Sequence, residues 1–120
     1  MLTFDIISPQ LAPDRLQDEE LAVEAIEDVI REFELDVAQR TTLSTMRGST
    51  HYHLKMGAEK GVLEITFWPK KAQLTVAIHE NRRAPWNERM IEPLAWALAE
   101  RFAGRARELR GQDGTVKDVW

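Results

Sequence analysis

The chain has 120 residues, of which 43% are hydrophobic and 30% charged, with a net charge of −4; this is the make-up of one globular domain able to bury a core without staples. With no cysteine, disulfides and thiolate metal sites are excluded, and a net-acidic chain makes a poor general binder of phosphate backbones. No apolar run reaches the ~20 residues of a membrane-spanning helix, and the N-terminus lacks the basic region and apolar stretch of a secretory signal, so the expected location is the cytoplasm.

The charge is unevenly spread. Residues 1–40 carry eleven acids against Arg15, Arg31 and Arg40, a balance of −8, whereas 41–91 carry eight bases against four acids, a balance of +4. An acidic helix beside a basic sheet would steer a small anionic partner toward the sheet.

Leu2, Phe4 and Ile6 alternate with Thr3 and Asp5, which predicts a short strand over 2–8 that stops at Ser8-Pro9. From Asp18 the period changes. Ala22, Ile26, Val29, Ile30, Phe33 and Val37 fall on one helical stripe, with acids in the first turn where the helix dipole favours them. A loop is expected near Asp36–Arg40. Alternation then returns over Thr50–Met56, with Tyr52, Leu54 and Met56 on one side and His51, His53 and Lys55 on the other. Residues 57–61 read as a hairpin turn, and Val62–Trp68 as a strand with Leu63, Ile65 and Phe67 inward and Glu64, Thr66 and Trp68 outward. A second turn at Pro69-Lys70-Lys71 leads to a strand over Gln73–Glu80, with Leu74, Val76 and Ile78 inward and Thr75, Ala77 and His79 outward. The last periodic segment, from about Asn87 to Arg110, predicts a helix with Ile91, Leu94, Ala95, Leu98, Phe102, Ala106 and Leu109 buried and Gly111 as its cap.

These elements predict a two-layer α+β domain of order β-α-β-β-β-α over residues 1–111, an antiparallel sheet with both helices on one face. Residues 112–120 are expected to form a tail whose Val116, Val119 and Trp120 dock on the body.

The two hairpin turns set a register on the face away from the helices. Ala77 falls beside Glu64 and His53, and Thr75 beside Thr66 and His51, with His79 in the next row. His51 and His53 then stand about 7 Å apart on one side of one strand, a spacing from which two imidazoles grip a zinc, iron or nickel ion. Glu64 or His79 would complete the ligand set from a neighbouring strand. The competing expectation is that the histidines merely populate a polar sheet surface, with no cofactor.

A second constellation is basic and aromatic: Trp68, Lys70 and Lys71 at one turn, and Arg82, Arg83 and Trp86 where the last predicted strand meets the helix. Stacking rings and phosphate-gripping arginines suit nucleic acid, and the order α-β-β-β-α is that of a double-stranded RNA-binding domain. The basic cluster expected at the start of the last helix is replaced here by Trp86-Asn87-Glu88-Arg89, so nucleic acid ranks last among the partners. On the helical wheel Trp96, Ala99 and Ala103 lie away from the buried stripe and make an expected contact surface, covered either by the C-terminal tail or another part of the chain or by the same patch of a second subunit in a homodimer. Ser44 and Ser49 lack a nucleophile turn, and Gly57 and Gly61 make no phosphate-cradling loop.

The sequence therefore ranks first a small cytoplasmic binding or accessory protein, dimeric rather than enzymatic, that meets a protein or small anionic partner through His51, His53, Glu64, Thr66, Trp68, His79, Arg82 and Arg83. A metal-dependent or histidine-assisted enzyme using His51, His53, Glu64 and His79 ranks second. The enzyme requires the histidines to converge beside a pocket.

Overall fold

The computed structural model describes residues 1–16 and 18–110, with Arg110 and Thr115–Lys117 described by backbone alone. Among the described residues seven strands, β1 (Leu2–Ile7), β2 (Asp36–Thr41), β3 (Thr50–Lys55), β4 (Leu63–Trp68), β5 (Gln73–Ile78), β6 (Arg105–Arg110) and β7 (Thr115–Lys117), join two helices, α1 (Glu19–Glu32) and α2 (Pro85–Arg101). The strands form one sheet in the order β2-β3-β4-β5-β1-β6-β7, antiparallel at every pairing. Both helices cover one face, as the alternation of apolar residues requires, and no described helix is long and apolar enough to cross a membrane.

Phe4, Ile6, Tyr52, Leu54, Leu63, Ile65, Phe67, Leu74, Val76 and Ile78 point from the sheet into the core. They meet Ile26 and Ile30 of α1 and Ile91, Leu94 and Leu98 of α2. Asp18 starts α1 by accepting from the amides of Glu20 at 2.9 Å and Leu21 at 3.4 Å. At the start of α2, buried Asn87 accepts from the Ala84 amide at 3.0 Å and donates to the carbonyls of Arg82 at 2.9 Å and Val62 at 3.0 Å. One side chain thus caps the helix and ties it to the chain entering β4. Trp86 is buried and its Nε1 donates to the Lys60 carbonyl at 2.6 Å, so it closes the core.

Two element expectations are corrected. The loop expected at 36–40 is an edge strand, β2, whose residues are almost all exposed, so no apolar alternation marked it. Val37, assigned to the helical stripe, lies on this strand and is 46% exposed.

The helix expected to run to Arg110 stops at Arg101, and residues from Arg105 onward return along β1. The stop is a left-handed residue at Ala103, φ 52°, flanked by bonds from the Gly104 amide to the Ala99 carbonyl at 2.7 Å and from the Ala103 amide to the Glu100 carbonyl at 3.1 Å. This is the two-bond helix ending usually built on glycine. Gly104 sits one residue later because a Cβ there would collide with the Ile7 carbonyl oxygen, where β6 comes alongside β1. Ala106 and Leu109 therefore belong to a strand, Ala106 in the core and Leu109 on the outer face. The expected cap Gly111 and the expected docking of Val119 and Trp120 lie outside the described residues, as does the side chain of Val116.

Candidate functional site

Inward Tyr52 and Leu54 turn His51 and His53 to the outer face of β3. The β3–β4 hairpin sets His53 opposite Glu64 and His51 opposite Thr66, and the β4–β5 hairpin sets Glu64 opposite Ala77 and Thr66 opposite Thr75. His79 follows directly after β5.

Glu64 stands at the centre of the cluster. Its Oε1 lies 3.0 Å from His51 Nε2 and 3.6 Å from His53 Nε2, and its Oε2 lies 3.1 Å from His79 Nε2. The rings of His51 and His53 meet edge to face, with centroids 5.0 Å apart. This face is deeper than an open sheet surface: Glu64 is 6% exposed and His51 8%. Burial holds the His51 imidazolium below its ordinary range, against the opposing pull of the Glu64 carboxylate. A neutral imidazole keeps a lone pair available for a cation.

His51 Nδ1 lies 2.7 Å from Thr66 Oγ1. A hydroxyl can both donate and accept, so this contact accommodates either tautomer. When His51 Nε2 carries the proton toward Glu64, the hydroxyl donates to Nδ1; when Nε2 binds a cation, Nδ1–H donates to the hydroxyl. Donor atoms of His51, His53 and Glu64 all lie within 4.8 Å of one another. Donors at ~2.1 Å from a tetrahedral ion are about 3.4 Å apart, so the 3.0 and 3.6 Å separations bracket that edge. Two imidazoles and one carboxylate are a donor set taken by catalytic zinc and by non-haem iron, with coordination positions left open.

His51, Glu64, Thr66 and His79 form one end of a cavity of about 800 Å³ that runs across β5 and β1 toward β6, and His53 stands behind them, outside its lining. Thr3, Gln73, Thr75 and Ala77 line its floor, and Leu43 and Leu109 line its sides. Leu43 belongs to the 42–49 connection, which is held by the Ser49 hydroxyl accepting from the Leu43 amide at 3.2 Å and by Trp68 Nε1 donating to the Arg47 carbonyl at 2.9 Å.

Among the predicted site residues, His51, His53, Glu64, Thr66 and His79 come together. Trp68 does not line the cavity but anchors that connection from the far end of β4, with Lys71 Nζ 5.9 Å from its ring centroid. Arg82 and Arg83 lie past the opposite end of β5, exposed, and Arg83 Nε pairs with Glu80 at 3.5 Å. The two halves of the basic and aromatic constellation are thus separated by the length of the β4–β5 hairpin.

The expected contact surface on α2 is also divided. Ala99 is fully buried, Trp96 is partly buried against the core, and exposed Ala103 lies beyond the helix end. Sequence reasoning missed Leu43, which carries no periodic signal in its loop, and Leu109, whose spacing continues the stripe of the helix before it.

Fold and site together define an antiparallel α+β protein with one buried carboxylate ringed by three imidazoles. Comparison of the chain with family models, with curated proteins and with solved structures gives no match in any of the three.

Proposed function

We propose that the chain is a metal-dependent enzyme acting on a small molecule, with a divalent ion held by His51 Nε2, His53 Nε2 and Glu64 Oε1. The observation that carries the reading is the convergence of three imidazole Nε2 atoms on one buried carboxylate, at 3.0 to 3.6 Å, at the end of a cavity. Convergence beside a pocket is what separates an enzyme from a polar sheet surface. With three protein ligands the ion keeps a position for water or substrate, where it polarises a bound oxygen or lowers the pKa of a bound water. His79, on the second oxygen of Glu64, orients the carboxylate, and its 49% exposure leaves it reachable from the cavity for proton transfer. The cytoplasm is the compartment carried with this proposal, supported by the lack of cysteine.

The test is the metal content of purified, tag-free protein after incubation with zinc, nickel and iron. One ion per chain is expected in wild type, with loss of at least tenfold in affinity in each of His51→Ala, His53→Ala and Glu64→Gln. Hydrolytic or oxygenase screens then follow according to the metal retained. Absence of stoichiometric metal in the folded wild-type protein sinks the proposal.

The second reading is a binding protein that pairs with a second copy. The free edge of β2 favours it, since Val37 on that strand is a large apolar side chain left uncovered. In this reading self-association uses the β2 edge in place of Trp96.

A further inference from the structure

Among the described residues, the cavity wall beyond the cluster includes one charged group, the Met1 ammonium, and it is paired with Glu80 Oε1 at 3.1 Å. Thr3, Gln73, Thr75 and Ala77 form its floor, and Leu43 and Leu109 flank it. Lys71 faces an adjoining hollow that holds Asp5, and Asp5 is the partner of Arg107. Arg107 Nη2 lies 3.4 Å from Asp5 Oδ2. A charged ligand body would therefore lose hydration without gaining an unpaired counter-ion. Glu64 does not supply one, because three imidazole nitrogens already surround its two oxygens.

The floor has two kinds of surface. Among the described residues, the side chains of Thr3, Gln73 and Thr75 make no hydrogen bond to protein, so donors and acceptors of both kinds face the cavity. Ala77, directly opposite Glu64 on β4 and Thr3 on β1, contributes only a methyl group between taller neighbours. That low point makes the concavity. Since Ala77 is on the face away from the core, the space above it is removable without disturbing packing.

We infer that the cavity binds a small uncharged molecule with one polar head, the head at the exposed His79 ring and a short apolar body lying over Ala77 toward Leu109. The inference deepens the proposed metal site, on which it rests only for the ion at the polar end; the neutral wall is built by the chain alone.

The probes are 1-hexanol, hexanoate and hexylammonium, titrated into zinc-free and zinc-loaded protein and followed by amide chemical shifts of residues 64–66 and 75–79. In zinc-free protein, 1-hexanol is expected to give saturable shifts in these segments, with the two charged probes at least tenfold weaker. Ala77→Leu, which fills the floor, is expected to weaken 1-hexanol at least tenfold, while Ala77→Ser retains it. Zinc stoichiometry is measured on every sample.

Hexanoate or hexylammonium equalling 1-hexanol in zinc-free protein overturns the neutral class. Undiminished binding in a folded Ala77→Leu variant, or no saturable shift in wild type, overturns the site. If zinc fails to bind while 1-hexanol binds as stated, the metal reading fails and this inference stands. If zinc binds and 1-hexanol does not, the reverse holds.

Discussion

Thr66 is the residue through which the fold controls the protons of the cluster. Its hydroxyl, 2.7 Å from His51 Nδ1, is the one described partner of that nitrogen, and it can turn from donor to acceptor as Nε2 exchanges its proton for a cation. Replacing the hydroxyl with a methyl group keeps the shape and removes the switch. Thr66→Val is therefore expected to lower zinc affinity about 10- to 100-fold, the usual cost of losing a partner that orients a ligand, while Thr66→Ser keeps affinity near wild type. Competition against a chelator of known strength measures both, and equal affinity in the Thr66→Val variant and the wild type would leave the hydroxyl with a packing role alone. That His51 neighbours Thr66 was legible from turn lengths, since a hairpin register fixes which side chains stand opposite. That both are buried was not. The side chains of the cluster bury one another, with Leu43 of the 42–49 connection lining the same cavity, and the periodicity of β3 and β4 encodes which face they share but not its depth.

At the level of elements, the three central strands were readable because each alternates cleanly and is bounded by turn residues. The two failures have separate physical causes. The edge strand β2 buries almost nothing, so tertiary pairing with β3 defines it without an apolar pattern. In β6 the helical spacing of Ala106 and Leu109 continued the stripe of α2, and the stop signal was carried by an alanine. Left-handed backbone costs a residue with a Cβ roughly 1–2 kcal/mol, and Ala103 bears this strain at a position where glycine is the norm. Ala103→Gly is accordingly expected to stabilise the fold by about 0.5–1 kcal/mol, the relief being offset in part by the greater freedom of glycine in the unfolded chain. Gly104→Ala should do the opposite, by about 2 kcal/mol or more, because the new Cβ meets backbone at Ile7 and cannot be accommodated by a side-chain turn. Urea unfolding of the two variants checks both signs, and the same sign for both would show that the helix end is not held in this way.

Over the whole molecule, the charge segregation of the sequence resolves into cross-links between elements distant in the chain. The acidic helix α1 packs on the core side of the sheet, away from the histidine cluster. Its Glu27 accepts from Arg40 of β2 and from the Tyr52 hydroxyl, each at 2.8 Å, and its Asp28 accepts from Arg101 at the end of α2 at 3.0 Å and from Arg31 within α1. The bond from Arg101 is the chief reason the Asp28 carboxyl lies below its ordinary value, with Arg31 adding to it. A carboxyl depressed in the folded state takes up its proton more readily when the chain unfolds. Its contribution to stability is thus present above the unfolded aspartate value, about 3.9, and is lost as pH falls through that value toward the folded one. Other carboxylates add to the acid slope, so the informative quantity is the difference between wild type and Arg101→Gln. The variant is expected to unfold at lower denaturant than wild type at pH 6, and the gap to narrow as pH falls below the unfolded aspartate value, about 3.9, and Asp28 takes up its proton. Because the pair is exposed, the gap should also shrink in 1 M salt, where screening acts within about 3 Å. A gap that persists unchanged on acidification below the unfolded aspartate value would assign the effect of Arg101 to helix packing, and the link between the two helices would then not be electrostatic.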